Sequence, residues 1–258
     1  MSSPRIAVVT GANRGIGRAI SVALAVEGFA VAVTARDVPT LADTVAQIEE
    51  GGGTALPLAC DVRDEASVAA MADGVLDRWG SVHTVVANAG AAGPTAPLHE
   101  ISLADWRDCV ATDLDGVFLT FRAFVPAMIE AREGALIAIS SMTGKRPLTG
   151  RTPYAAAKMG VIGLVRTLAL ELGPYRIRVN AVCPGAVSGP RIQDVVRKQA
   201  AARGISEDEA LAAFTGSSPL GRLVEAEEVA RACAFLASDG AASITGEDLN
   251  VTAGVVMY

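Results

Sequence analysis

Seven short apolar runs, separated by longer amphipathic stretches, narrow the folds open to this chain more than any other feature. The runs, rich in valine or isoleucine, cover 6–10, 30–34, 54–59, 84–87, 135–139, 179–182 and the vicinity of 249–251. Between them, helical periodicity covers 17–27, 41–50, 67–79, 105–130, 154–172 and 226–237. Strand-length apolar runs alternating with helical patterns read as βαβ units, whose crossovers place helices on both faces of a parallel sheet. The expectation is α/β: one doubly wound domain over residues 1–258, about seven parallel strands, with no linker, repeat or low-complexity segment.

Composition agrees and removes several function classes. A 258-residue chain that is 51% hydrophobic and 19% charged needs a large core or extensive subunit contacts. The net charge is −6 and no basic run is present, so no nucleic-acid partner is expected, because phosphate backbones call for clustered Lys and Arg. Cys60, Cys109, Cys183 and Cys233 are widely spaced, and His83 and His99 do not pair with them, so no metal site is expected. The first apolar run is only five residues long, too short for a signal peptide's core or a membrane span. A reduced, cytoplasmic protein with no membrane partner is the expectation.

Two local patterns carry chemistry. Thr10-Gly11-Ala12-Asn13-Arg14-Gly15-Ile16-Gly17 follows the first apolar run and opens the first helix. Glycines there permit a tight turn and a close backbone approach to a pyrophosphate, which the helix N-terminus attracts. The plain alternative is a turn with a helix entry; the order strand, glycines, helix favours a nucleotide. The second pattern is Tyr154-Ala-Ala-Ala-Lys158. The chain has three tyrosines and three lysines, so this spacing arises by accident in roughly 3% of such chains. Four residues apart on a helix is one face, and an ammonium beside a phenol favours the phenolate, making a general acid/base.

Together these patterns resemble the short-chain dehydrogenase/reductase family, and the resemblance runs over nearly the whole chain. It implies a Rossmann-like fold and a carbonyl/secondary-alcohol oxidoreductase, with dinucleotide contacts from Gly11, Asn13, Arg14, Gly15, Ile16 and Gly17. Asp61-Val62 looks like the family's adenine-contacting pair, and Asn88-Ala89-Gly90 matches the triplet that steadies the central sheet. Ser141, thirteen residues before Tyr154, matches the family's catalytic serine, with Ser140 a less favoured candidate. Asn180-Ala181-Val182-Cys183-Pro184-Gly185, continuing to Val187, matches the segment along the nicotinamide, while Ile244-Thr245-Gly246 and Val251-Thr252-Ala253-Gly254 resemble the last strand. In the roles so implied, Tyr154 donates and accepts the proton, Lys158 stabilises the phenolate and holds the nicotinamide ribose, and Ser141 holds the substrate oxygen. A non-catalytic dinucleotide sensor on the same fold is the alternative, but such sensors tend to lose the catalytic residues, which are all present here.

Departures from the family pattern are equally informative. Asp113 stands where the family usually carries asparagine. If its carboxylate faces the site, a separation of about 6 Å or more from Lys158 and Tyr154 is expected, at which it opposes phenolate formation; otherwise it serves through its backbone carbonyl. Gly189, preceded by Ser188, replaces a usual threonine and removes one carboxamide contact. His83 replaces a usual aspartate and reads as a surface or loop histidine.

Dinucleotide choice turns on the end of the second strand. Ala35 occupies the position where NAD-preferring members carry an acid, and Arg36 follows, with Arg14 able to converge on the same place. Two guanidiniums suit a 2′-phosphate, so NADP(H) is favoured, while Asp37 keeps NAD(H) open. Residues 188–222 are the expected substrate-loop region; Arg191, Arg197, Lys198 and Arg203 on its first helix read as a solvated face rather than an anion site. The small-molecule substrate is not narrowed further. The helix over 154–172 is apolar or small almost all round, which predicts burial on two sides and a homotetramer with 222 symmetry, or a dimer.

Overall fold

In the computed structural model, which describes residues 4–258, every strand joins one parallel sheet. The strands are β1 (Arg5–Thr10), β2 (Phe29–Ala35), β3 (Thr54–Ala59), β4 (Thr84–Ala87), β5 (Gly134–Ile139), β6 (Ile177–Pro184) and β7 (Asp248–Val251). Their order is β3-β2-β1-β4-β5-β6-β7. The connection reverses direction between β1 and β4, and a ligand crevice forms there, beyond the carboxyl ends of the strands.

Burial explains the continuous apolar runs. β2, β4 and β5 are buried at every residue, as strands covered on both faces must be. β3 is more exposed and carries Pro57, which an edge strand tolerates. The helices are α1 (Gly15–Val26), α2 (Ala42–Glu50), α3 (Glu65–Trp79), α4 (Leu103–Val110), α5 (Gly116–Ala131), α6 (Met142–Lys145), α7 (Thr152–Leu172), α8 (Pro190–Arg203), α9 (Glu207–Gly216) and α10 (Ala226–Ala237). α3, α5 and α7 pack on one face around Phe121, Phe124 and Leu136; α1 and α10 pack on the other around Ile20, Leu24 and Ile137.

The single helix expected over 105–130 is interrupted. Between α4 and α5, Ala111–Asp115 form a π-turn, and Asp113 within it is fully buried. Such turns widen the helix locally and cluster at functional sites. Of the expectation that His83 is a surface or loop histidine, the loop holds and the surface does not. It is half-buried just before β4, where its Nδ1 accepts from the Ile6 N–H at 2.9 Å and its own N–H and carbonyl bond to Ile6 and Ala135. Burial lowers its pKa, in keeping with an acceptor nitrogen that must stay unprotonated.

Candidate active site

The crevice between β1 and β4 is fastened by polar groups of the two motifs that meet there. Thr10 Oγ1 accepts from the backbone N–H of Asn88 and of Ala89, both at 3.0 Å. Asn88 returns the contact, donating its amide to the carbonyls of Thr10 (2.8 Å) and Gly11 (3.1 Å). The packing demands glycine at two points. A Cβ on Gly17 would lie 2.2 Å from the Gly11 carbonyl oxygen and 2.5 Å from the Asn88 amide nitrogen, and one on Gly11, at φ +65°, 2.9 Å from Ala89 Cα.

Gly15 behaves differently: φ is +53° and the space beside it is open. It begins α1, whose N-cap residue, Arg14, supplies no side-chain acceptor. The first-turn N–H groups are thus left for an anion, with an exposed Arg14 beside them. This cradle fits a dinucleotide pyrophosphate. Further along the crevice, Arg36 and Asp37 are both exposed at the end of β2, and neither forms an ion pair among the described residues. Val62 is buried, while Asp61 is bound by Arg63 at 2.7 Å, a hydrogen-bonded pairing that holds its carboxyl below the usual range.

The Tyr154–Lys158 pair lies on α7, with Lys158 Nζ 5.7 Å from the Tyr154 ring centroid. Lys158 is 3% exposed and donates to the Ile139 carbonyl at the end of β5, at 3.0 Å. Its other partner is Asp113, whose Oδ1 lies 3.0 Å from Nζ. The expected separation of about 6 Å or more is therefore corrected: the π-turn brings the carboxylate into direct ion pairing with the lysine. Oδ2 accepts from the Ala91 N–H at 3.3 Å and contacts Cys109 Sγ at 3.6 Å. Burial first, then Asp113's charge, push the Cys109 thiol up to about 12. Gly90 makes the room, because a Cβ there would lie 2.7 Å from Asp113 Oδ1.

Ser141 and Ser140 now separate. Ser140 is committed to structure, donating to the Lys158 carbonyl at 2.8 Å. Ser141, 8% exposed, caps α6 by accepting from the Thr143 N–H at 3.1 Å. Its own O–H remains available to donate.

The neighbourhood of Tyr154 also holds groups that spacing did not single out. Arg151, one turn before it, is only 4% exposed and lies 4.8 Å from the ring centroid. Its Nη2 donates to the Ala92 carbonyl. Arg191, from α8, lies 5.8 Å from the same centroid and donates to the Ala91 carbonyl at 2.8 Å. The basic stripe thus divides: Arg197 and Lys198 pair with Asp194, as a solvated face would, while Arg191 reaches the site. Nothing local marks a buried arginine in sequence, so Arg151 was not identifiable there. Pro184, Gly185 and Val187 line the β6 exit, and Ser188 is drawn away by a bond to Glu225 at 2.9 Å.

A family model described as enoyl-(acyl carrier protein) reductase matches residues 11–256. The chain is 42% identical over 254 residues to cis-4-hydroxycyclohexanecarboxylate dehydrogenase of Sinomonas cyclohexanicum, covering 97% of this chain and 96% of that one. Actinorhodin polyketide ketoreductase, solved with NADPH as a single-site variant, superposes with a TM-score of 0.95 at 37% identity, each chain fully covered. NAD+-bound xylitol dehydrogenase superposes at 0.94 with 30% identity, covering 97% of this chain and 98% of that one. With the parallel sheet, the glycine cradle and the Tyr154–Lys158 pair in place, the chain belongs to the short-chain dehydrogenase/reductase family, NAD(P)-dependent oxidoreductases that interconvert carbonyls and alcohols.

Proposed function

We propose that this protein is an NADP(H)-preferring carbonyl reductase in which Tyr154 is the general acid/base. The observation that carries the reading is the placement of Tyr154 on α7, half-buried, with its ring 5.7 Å from a lysine anchored to the end of β5. A dinucleotide held there would supply hydride to a carbonyl carbon, or receive it from an alcohol. Tyr154 Oη gives its proton to the carbonyl oxygen in reduction and takes the hydroxyl proton in oxidation. Ser141 donates its free O–H to that same oxygen and holds it within reach. Lys158, fixed by Ile139 and Asp113, holds the nicotinamide ribose; Asp113 acts by orienting Lys158.

The cofactor-binding residues follow the same reading. The α1 N-terminus with Gly11, Asn13, Gly15, Ile16 and Gly17 takes the pyrophosphate, and Asp61 and Val62 flank the adenine. Asn88, Ala89, Gly90, Pro184, Gly185 and Val187 border the ribose and nicotinamide. Arg14 and Arg36, both exposed and unpaired among the described residues, suit a 2′-phosphate. The whole chain acts as one domain with 188–222 as its substrate loop.

Assembly through α7 completes the proposal. Leu170 is 82% exposed, Met159 50%, and Phe118 on the adjoining α5 45%. Covering such a face is what a 222 homotetramer, or a dimer, would do. Among the described residues, no helix is long and apolar enough to cross a membrane. All four cysteines are free and buried, which suits a reducing compartment such as the cytoplasm. A screen of ketones, aldehydes and polyols, following NADPH consumption and NAD(P)+ reduction, tests the activity; no turnover of any carbonyl with either dinucleotide would contradict it.

A further inference from the structure

The charges around Tyr154 do not divide as its spacing from Lys158 implies. Ionisable groups reach it from several elements: Arg151 at the N-cap of α7, Lys158 on α7, Arg191 on α8, Asp113 in the π-turn and Cys109 on α4. Cys109 stays neutral. Lys158 is engaged by Asp113 at 3.0 Å, both side chains nearly or fully buried, so its field at the phenol is largely cancelled. Arg191 is exposed, where water and salt screen its charge. Arg151 remains. It is closer to the ring than either other cation, it is buried, and no carboxylate pairs with it among the described residues.

An uncompensated buried guanidinium is costly. Among the described residues its Nε finds no acceptor, and its one side-chain hydrogen bond is to the Ala92 carbonyl. Burial holds this arginine below its ordinary range, and the charge opposing that trend most strongly is the Tyr154 phenolate. The geometry carries the same relation: a positive charge 4.8 Å from the ring, in a buried setting, favours negative charge on the phenol oxygen.

We propose that Arg151 is a positioning residue of the reaction: its buried guanidinium supplies the positive charge that stabilises the phenolate form of Tyr154, a task that Asp113 leaves Lys158 only partly free to perform. The inference rests on the acid/base role of Tyr154 proposed above and adds the group through which this chain tunes it.

Arg151→Gln removes the charge and keeps an N–H donor on a shorter side chain. The rising limb of kcat/KM for alcohol oxidation should move up by about one pH unit, so that below the limb the rate falls about tenfold. Arg151→Lys should return the limb to within a few tenths of the parent's. A limb unmoved in Arg151→Gln, with its fold confirmed by circular dichroism, overturns the proposal. So does a rise in KM confined to carboxylate-bearing substrates, which would assign the guanidinium to substrate binding. Should the glutamine variant not fold, the lysine variant decides: a limb displaced by a full unit despite the retained charge refutes the electrostatic role. Tyr154→Phe is run alongside. If it keeps its turnover, the acid/base assignment fails; if it is inactive while the Arg151 variants match the parent, only the Arg151 proposal fails.

Discussion

Replacing Asp113 by asparagine isolates the charge of the Asp113–Lys158 pair, since the amide keeps the carboxylate's shape and its carbonyl oxygen can still accept from Ala91. The structure allows the size of the effect to be worked out. Lys158 Nζ is 5.7 Å from the Tyr154 ring centroid and 3.0 Å from Asp113 Oδ1, so the carboxylate oxygen lies at most roughly 9 Å from the ring. At an effective dielectric of about 20, a unit charge at that range is worth about 2 kcal/mol, or about 1.5 pH units in a titration, before screening reduces it. Negative charge opposes the phenolate, so removing it favours the phenolate. The alcohol-oxidation profile should therefore move to lower pH by up to about one unit, with dinucleotide affinity little changed. The same substitution leaves a buried ammonium without its counter-charge. Removing one partner of such a pair costs about 3–5 kcal/mol, and although the surviving bond to Ile139 reduces that, a fall in Tm of several degrees is expected. The assay is kcat/KM for oxidation against pH, with differential scanning calorimetry on the same preparation. An unmoved profile in a protein of unchanged Tm would refute the argument and reduce Asp113 to its backbone role.

Arg36→Ala should weaken NADPH binding far more than NADH binding in fluorescence titrations, because only the former offers a 2′-phosphate; equal losses would transfer the role to Asp37. His83 is held neutral by burial, its pKa depressed in the native state, so its contribution to stability is complete above the unfolded value near 6.5 and fades as pH falls below it. Guanidinium-chloride unfolding should accordingly show stability dropping from pH 7.5 to 5.5, and His83→Gln should flatten that part of the drop. Light scattering at micromolar concentration should give a tetrameric or dimeric mass, and a monomer would leave the exposed Leu170 and Met159 without the proposed partner.

Most of the strand layout was legible because parallel strands buried on both faces are short continuous apolar runs. The expected 54–59 and 84–87 coincide with β3 and β4, and 226–237 with α10. Periodicity failed where the chain departs from ideal geometry without a breaker residue. The stretch 105–130 contains no proline or glycine at the π-turn itself, and the breakers that follow, Gly116 and Pro126, do not mark it, so it read as one helix. The polar substrate-loop region, with a core of only Val196, Ala200 and Ala210 and their partners, gave too weak an apolar pattern to separate α8 from α9. The site divides in the same way. Glycine cradle, Ser141, Tyr154 and Lys158 lie in local motifs, and spacing finds them. The Asp113–Lys158 contact joins residues 45 positions apart in sequence through a widened turn, and the burial of Arg151 depends on the loop holding Ala92, so neither distance nor charge balance was readable locally.

In the reaction proposed above, Tyr154 carries the proton. Tyr154→Phe removes a single hydroxyl, and its reduction rate should be measured with a responsive carbonyl substrate at saturating NADPH, beside the dissociation constant for NADPH. Turnover should fall by about two or more orders of magnitude, at the low end of what a positioned acid contributes, with NADPH affinity within about twofold of the parent's. Turnover retained within a few-fold of the parent's would contradict it and require another group to supply the proton.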